Sequence, residues 1–215
     1  MLRKEFLLNI AFDFDGTLVD AENRQMALLH SILQQFDLEA DLDAIWELKR
    51  SGLSTKEAIE RCLGNRFSVE IIVNIWIRDV EQLYWLKYDK LFKDVYQNLK
   101  NLKREKHELF LITARSIPRN FQIQFSWLGL REVGLTTFCV NPKNKTIQKA
   151  QVLRDINAEI FIGDSEYDME SSSRAEIDFW AVCSGQRSEE YLRKNGADLV
   201  FQSTNQAIAQ ILDGI

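Results

Sequence analysis

Asp13 and Asp15, separated by one residue, end a short apolar run, and a second acidic pair, Asp164 and Asp168, follows another. Residues two apart on a strand project to the same side of the backbone, which gives Asp13 and Asp15 neighbouring reach. Four carboxylates at two strand ends repel one another in a partly buried pocket unless a cation stands among them. No His or Cys accompanies these motifs, and oxygen ligands alone point to Mg²⁺. With such an ion present, the two carboxylates of the first pair can divide two tasks. One attacks phosphorus, while the other, when protonated, donates to the leaving alkoxide and later activates water. Phosphoryl transfer also needs donors around three equatorial oxygens, and Thr113, the backbone N–H groups near Gly16 and Ala114, and a lysine can supply them.

The elements that must position these residues are legible from periodicity. Residues 7–14 are an apolar run ending in acids and Gly16, the pattern of a buried strand entering a loop. From 22 to 87 the spacing is helical, with Met26, Leu29, Ile32, Leu33 and Phe36 and then Ile71, Ile75, Val80, Leu83 and Leu86 recurring at three and four. Helices over 42–49 and 54–63 lie between, which makes a four-helix insertion, with Asp20 as N-cap of the first helix. After Tyr88, helices alternate with strands at 108–114, 136–140, 159–162, 179–182 and 199–201. That alternation predicts right-handed crossovers and a doubly wound, mainly parallel α/β sheet covered on both faces. The core is read as 1–18 and 88–215, and the helical cap as 19–87. Ligands of such sheets bind beyond the carboxyl ends of the strands, where all the acidic motifs fall.

Composition narrows the function classes. A net charge of -5 argues against a broad nucleic-acid or anionic-membrane surface and favours a small phosphorylated metabolite as partner. Cys62, Cys139 and Cys183 are widely spaced and read as buried apolar residues, not as disulfide or zinc ligands. Arg3 and Lys4 precede the first apolar run, but Asp13 interrupts it too soon for a signal peptide. A cytoplasmic location, as monomer or homodimer, is the expectation.

The set D-F-D-G-T-L-V-D at 13–20, L-I-T-A-R at 111–115, a lysine, and G-D-S-E-Y-D at 163–168 resembles the haloacid dehalogenase-like hydrolase superfamily, in its phosphatase form with a helical cap after the first motif. The resemblance covers nearly the whole chain in the family's order. It implies Asp13 as nucleophile and metal ligand, and Asp15 as general acid/base with its backbone carbonyl on Mg²⁺. Thr113 becomes a phosphate binder, Asp164 a metal ligand, and Asp168 a ligand or the support of one. The family's Lys-Pro pair is absent, and Lys149 is preferred as the phosphate-binding lysine ahead of Lys145 and Lys143. Gly16, Thr17, Ala114 and Arg115 are candidate substrate contacts of the core; Arg50 and Lys56 are those of the cap, in a loop that relatives use above the site. Trp46, Trp76, Tyr84 and Trp85 read as packing residues, and His30 and His107, placed on helices, receive no role. The acidic Asp15 argues against dehalogenation. The cap segment also resembles that of β-phosphoglucomutase-like proteins, but those carry a His where Gln25 stands here, so hydrolysis is preferred to transfer. A phospho-ligand-binding module without turnover is the rival outside enzymes.

Overall fold

The computed structural model describes residues 7–64 and 68–214; Arg3 and Lys4 lie outside them. The chain opens with β1 (Asn9–Phe12) and a two-residue strand β2 (Val19–Asp20). It continues through α1 (Glu22–Gln35), α2 (Leu42–Arg50), α3 (Thr55–Leu63), α4 (Val69–Asp79) and α5 (Leu83–Leu86) to β3 (Lys90–Leu91). The rest alternates as α6 (Val95–Arg104), β4 (Glu108–Ala114), α7 (Pro118–Trp127), β5 (Thr136–Val140), α8 (Lys145–Asp155) and β6 (Ile160–Gly163). It closes with α9 (Glu166–Ala175), β7 (Asp178–Val182), α10 (Glu189–Lys194), β8 (Leu199–Phe201) and α11 (Thr204–Leu212).

Six of these strands form one parallel sheet in the order β5-β4-β1-β6-β7-β8. Period-two alternation sorts its side chains. Ile10 and Phe12 of β1 face one core with α6, α7 and α11, whereas Ala11 faces another with Ala150 and Leu153 of α8 and Ala175 of α9. The sheet is therefore sandwiched, as its near-continuous apolar strands require. Each fully buried Leu, Ile or Phe contributes about 1.5–3 kcal/mol, and Ile10, Phe12, Leu111, Phe161 and Ile162 are all fully buried. After β1 the chain builds outward through β4 and β5, then crosses back to β6 and builds the other way. The reversal falls between β1 and β6, where an open α/β sheet has its ligand crevice.

The helices between β2 and β3 have a core of their own, in which Leu28, Leu29, Ile32 and Leu33 meet Ile45, Ala58, Ile59 and Ile72. Their stem is an antiparallel ribbon that pairs Val19 with Leu91 and Asp20 with Lys90. Three details differ from the sequence reading. The last helical stretch breaks after Asp79, because the Glu81 carboxylate turns to accept the N–H groups of Ser116 at 3.0 Å and Ile117 at 2.8 Å. Asp20 sits one residue before the α1 N-cap, Ala21, and its Oδ1 accepts the Glu22 N–H at 3.0 Å. His107 lies in the turn before β4, not on a helix, and its Nδ1 accepts the Leu8 N–H at 3.1 Å.

Candidate active site

The site forms where β1, β4 and β6 end. The Asp13 N–H donates to Ile162 O at 2.8 Å, extending the β1–β6 ladder by one residue and fixing the backbone of Asp13. Asp164 follows β6 directly, and Asp168 lies in the first turn of α9, where the helix N-terminus favours a negative charge. Ser165 caps that helix: its Oγ accepts the Asp168 N–H and donates to Asp168 Oδ2 at 2.6 Å. The carboxylates of Asp13, Asp164 and Asp168 are buried, and one oxygen of each lies within 4.8 Å of the others.

Lys149, on the buried side of α8, reaches into this cluster and donates to Asp13 Oδ1 at 2.5 Å and to Asp168 Oδ1 at 2.6 Å. Lys145 instead lies 3.4 Å over the Tyr167 ring, and the Lys143 N–H is held by the Asn141 side chain. One ammonium facing three carboxylates leaves the cluster short of positive charge. Burial pushes the Asp13 carboxyl up to about 7 against the pull of Lys149, with Asp168 adding to the rise. Burial, with Asp13 and Asp168 as negative neighbours, also raises Asp164 well above the usual range. The two carboxylates beside Lys149 outweigh its own desolvation and raise its pKa. Three buried carboxylates with one cation are a donor set that fits a divalent, oxygen-preferring metal ion.

Asp15 turns away from this trio. Its Oδ2 accepts from Arg115 Nε at 2.8 Å, and its Oδ1 accepts from Arg115 Nη2 at 2.7 Å and Arg24 Nη2 at 2.6 Å. Burial raises the Asp15 carboxyl, but Arg115 and then Arg24 outweigh it and hold the group below its ordinary pKa. Arg24 also lies 3.3 Å from Asp89, whose other neighbour is the Gln124 amide at 2.5 Å. Arg115 therefore spends its donors on Asp15 and Gln124. Arg24 on α1, Asp89 in the loop before β3 and Gln124 on α7 were missed in the sequence, because each is a polar residue buried by a distant element and no local motif marks it.

Backbone groups close the floor. Gly16 has φ +82°, and a Cβ there would stand 2.1 Å from Asp164 Oδ2; one on Gly185 would meet the same oxygen at 2.1 Å and the Gly16 Cα at 2.5 Å. Two facing glycines thus let the β1 loop and the 183–186 loop approach closely enough for the Gln186 N–H to donate to Asp164 at 2.6 Å. Thr17 is fully buried, its hydroxyl has no hydrogen-bond partner among the described residues, and its carbonyl accepts from Thr204 Oγ1. Thr113 is buried near the end of β4, with half-buried Ala114 after it.

The helical unit reaches the same place. Asp15, Gly16, Asp164, Gln25 and Trp46 line one cavity, so Trp46 belongs to a pocket wall as well as to packing. Arg50 is half-buried and donates to Gly185 O at 2.5 Å and Cys183 O at 3.1 Å, engaging the core through carbonyls. Lys56 is not brought to the site; it is exposed and paired with Glu70 at 2.8 Å and Glu60 at 3.6 Å.

A family model described as haloacid dehalogenase-like hydrolase matches residues 10–182, which takes in β1, the helical insertion, Thr113, Lys149 and both acidic pairs. The chain belongs to this family. Haloacid dehalogenase-like folds also surround it among solved structures. A haloacid dehalogenase-like hydrolase from Streptococcus pneumoniae superposes with a TM-score of 0.75 at 20% identity, over 94% of this chain and 97% of that one. A predicted phosphatase from Clostridium acetobutylicum gives 0.72 at 21%, over 97% and 100%. A predicted phosphoglycolate phosphatase from Haemophilus somnus gives 0.70 at 16%, over 98% of both chains. At these identities the likeness is one of fold. No curated protein matches the chain. Among the described residues no helix is long and apolar enough to cross a membrane.

Proposed function

We propose that this haloacid dehalogenase-like hydrolase is a Mg²⁺-dependent phosphatase acting on a small phosphomonoester through an aspartyl-phosphate on Asp13. The observation that carries the reading is the Asp13–Lys149–Asp168 bridge beside Asp164, a nucleophile held among carboxylates that need a further cation. The Asp13 and Asp164 carboxylates and the Asp15 carbonyl would hold Mg²⁺, with Asp168 orienting Lys149; the ion supplies charge neutralisation for the incoming phosphate. Asp13 Oδ forms a bond to phosphorus as the ester P–O bond breaks, and the leaving oxygen takes a proton from Asp15. Asp15 then removes a proton from water, whose oxygen displaces Asp13 and releases inorganic phosphate. Thr113, Lys149 and the N–H groups around Gly16 and Ala114 supply donors to the phosphoryl oxygens.

Asp15 as it stands between two guanidiniums is a carboxylate, the form suited to accepting a proton from water. Delivering one to the leaving group requires it to part from Arg24 and Arg115. Arg24 belongs to the helical unit, so movement of that unit as a cap would couple to the protonation of Asp15. Gln25 occupies the position where the mutases carry a His, and a carboxamide cannot shuttle a proton, which favours water as the phosphoryl acceptor. Phosphate release from a panel of phosphomonoesters, measured with Mg²⁺ and with EDTA, tests the reading. Release that needs the metal and falls at least a thousandfold in Asp13→Asn is expected; release that survives the substitution removes Asp13 as nucleophile.

A further inference from the structure

Arg50 ends α2, in the part of the helical unit expected to contact substrate, yet its donors go to the backbone of the core. Nη1 donates to Gly185 O at 2.5 Å and Nη2 to Cys183 O at 3.1 Å, while exposed Glu47 stands off at 3.9 Å. A guanidinium presents its donors in a rigid planar fork, so two carbonyls taken by one arginine are held in a set relation to each other. The stretch that follows is fastened to the helical unit as well. The Ser188 N–H donates to Arg50 O at 2.9 Å and Arg187 Nη1 to Lys49 O at 2.6 Å. Gly52 lies against Tyr191 so closely that a Cβ there would stand 2.0 Å from the ring.

The inner side of the same loop meets the carboxylate cluster. The Gln186 N–H donates to Asp164 Oδ2 at 2.6 Å, and among the described residues this is the only hydrogen bond that the Asp164 carboxylate accepts. Gly185 C=O and Gln186 N–H belong to one peptide unit, which is planar and trans, so the two groups point to opposite sides of the chain. One rigid plane therefore joins Arg50 to Asp164: its oxygen is held by the guanidinium and its N–H holds the carboxylate. Tilting the plane breaks both bonds together. Ser184 Oγ ties the loop to Gly16 O at 3.1 Å, and the two facing glycines let the peptide come this near.

Resting on the reading of the cluster as a Mg²⁺ site, we propose that Arg50 is a positioning residue for the metal ligand Asp164, acting through the Gly185–Gln186 peptide. Seating of the helical unit on the sheet then completes the metal site. By linkage, metal binding favours the seated unit by the same factor.

Charge and position predict opposite signs for the loss of Arg50. Removing a cation one peptide away from a Mg²⁺ site strengthens metal binding by Coulomb's law, whereas removing the support of a ligand weakens it. In calorimetric Mg²⁺ titration of the full chain, Arg50→Met is expected to weaken binding at least about tenfold. Lys56→Met, which removes an exposed cation of the same unit, leaves the affinity unchanged. Gly185→Ala displaces the peptide without touching Arg50, since its Cβ would stand 2.1 Å from Asp164 Oδ2, and is expected to weaken binding in the same direction. A Mg²⁺ affinity that holds or rises in Arg50→Met overturns the proposal. Amide exchange of Gln186 in metal-free protein separates this idea from the metal reading. Arg50→Met quickens it while Phe161 and Ile162 in the sheet stay protected; unchanged Gln186 exchange sinks the positioning role. Faster exchange in a chain that binds no Mg²⁺ removes the metal reading alone and leaves Arg50 as the residue that orients Asp164.

Discussion

At the scale of single residues, the site pairs charges in two unlike ways. Lys149 has more carboxylate around it than one ammonium can neutralise, whereas Lys49, fully buried, meets Gln25 and, among the described residues, no carboxylate. The second case makes a stability prediction with a definite sign. Folded, Lys49 gives up its proton near pH 7; unfolded, it keeps the proton until about 10.5. Between those values the unfolded chain binds more protons, so the Lys49 contribution to stability rises with pH across that window. Comparing unfolding of the intact chain and Lys49→Met from pH 7 to 10 isolates it. The intact chain should gain on the variant by up to about 1.4 kcal/mol per pH unit, and parallel curves would mean that Lys49 keeps an ordinary pKa in the fold. The places of Asp13, Asp15, Asp164 and Thr113 at or just after strand ends were legible at this scale, because each motif directly follows an apolar run. Arg24, Lys49 and Asp89 were not, because nothing local distinguishes a charge that will be buried by a distant element from one left in water.

At the scale of elements, periodicity carried most of the information. The strands at 108–114 and 136–140 have the bounds expected of them, and the alternation after Tyr88 became a parallel sheet with helices on both faces. Boundaries shifted where a side chain from elsewhere intervened, as Glu81 does when it ends the α4 region by capping the turn at 116–117. One boundary carries a measurable penalty. Glu176, which closes α9, has φ 59° and ψ 44°, a left-handed conformation that costs a residue with a Cβ about 1–2 kcal/mol. Glu176→Gly should raise the unfolding free energy by about 1 kcal/mol while leaving phosphate release unchanged. A neutral or lower melting temperature would show that Glu176 has a compensating contact in solution.

For the whole molecule, the decisive surface lies between the helical unit and the sheet. It is held by polar contacts: Arg187 Nη1 to Lys49 O at 2.6 Å, the Ser188 N–H to Arg50 O at 2.9 Å, and Glu81 against Ser116 and Ile117. Interfaces of this polar kind within a chain tend to open and close. If the unit acts as a cap, the N–H groups of Ser116, Ile117 and Ser188 should exchange with solvent faster in the free protein than with Mg²⁺ and vanadate bound. Hydrogen-exchange rates unchanged by those ligands would argue for a fixed lid and against coupling of cap movement to Asp15.

The sequence by itself determined the strand–helix alternation and the acidic motifs at strand ends, because both depend on short-range periodicity and on chemistry confined to a few neighbouring residues. It also carried the family, through motifs whose order and spacing survive in one dimension. Only the tertiary structure decided which lysine meets Asp13, that Arg115 and Arg24 clamp Asp15, and that Gln25 stands on the cavity wall with Lys49 behind it. Each of these joins residues from separate elements, and their energies depend on mutual burial and on the charges around them, quantities that exist only once the sheet and the helical unit have packed together.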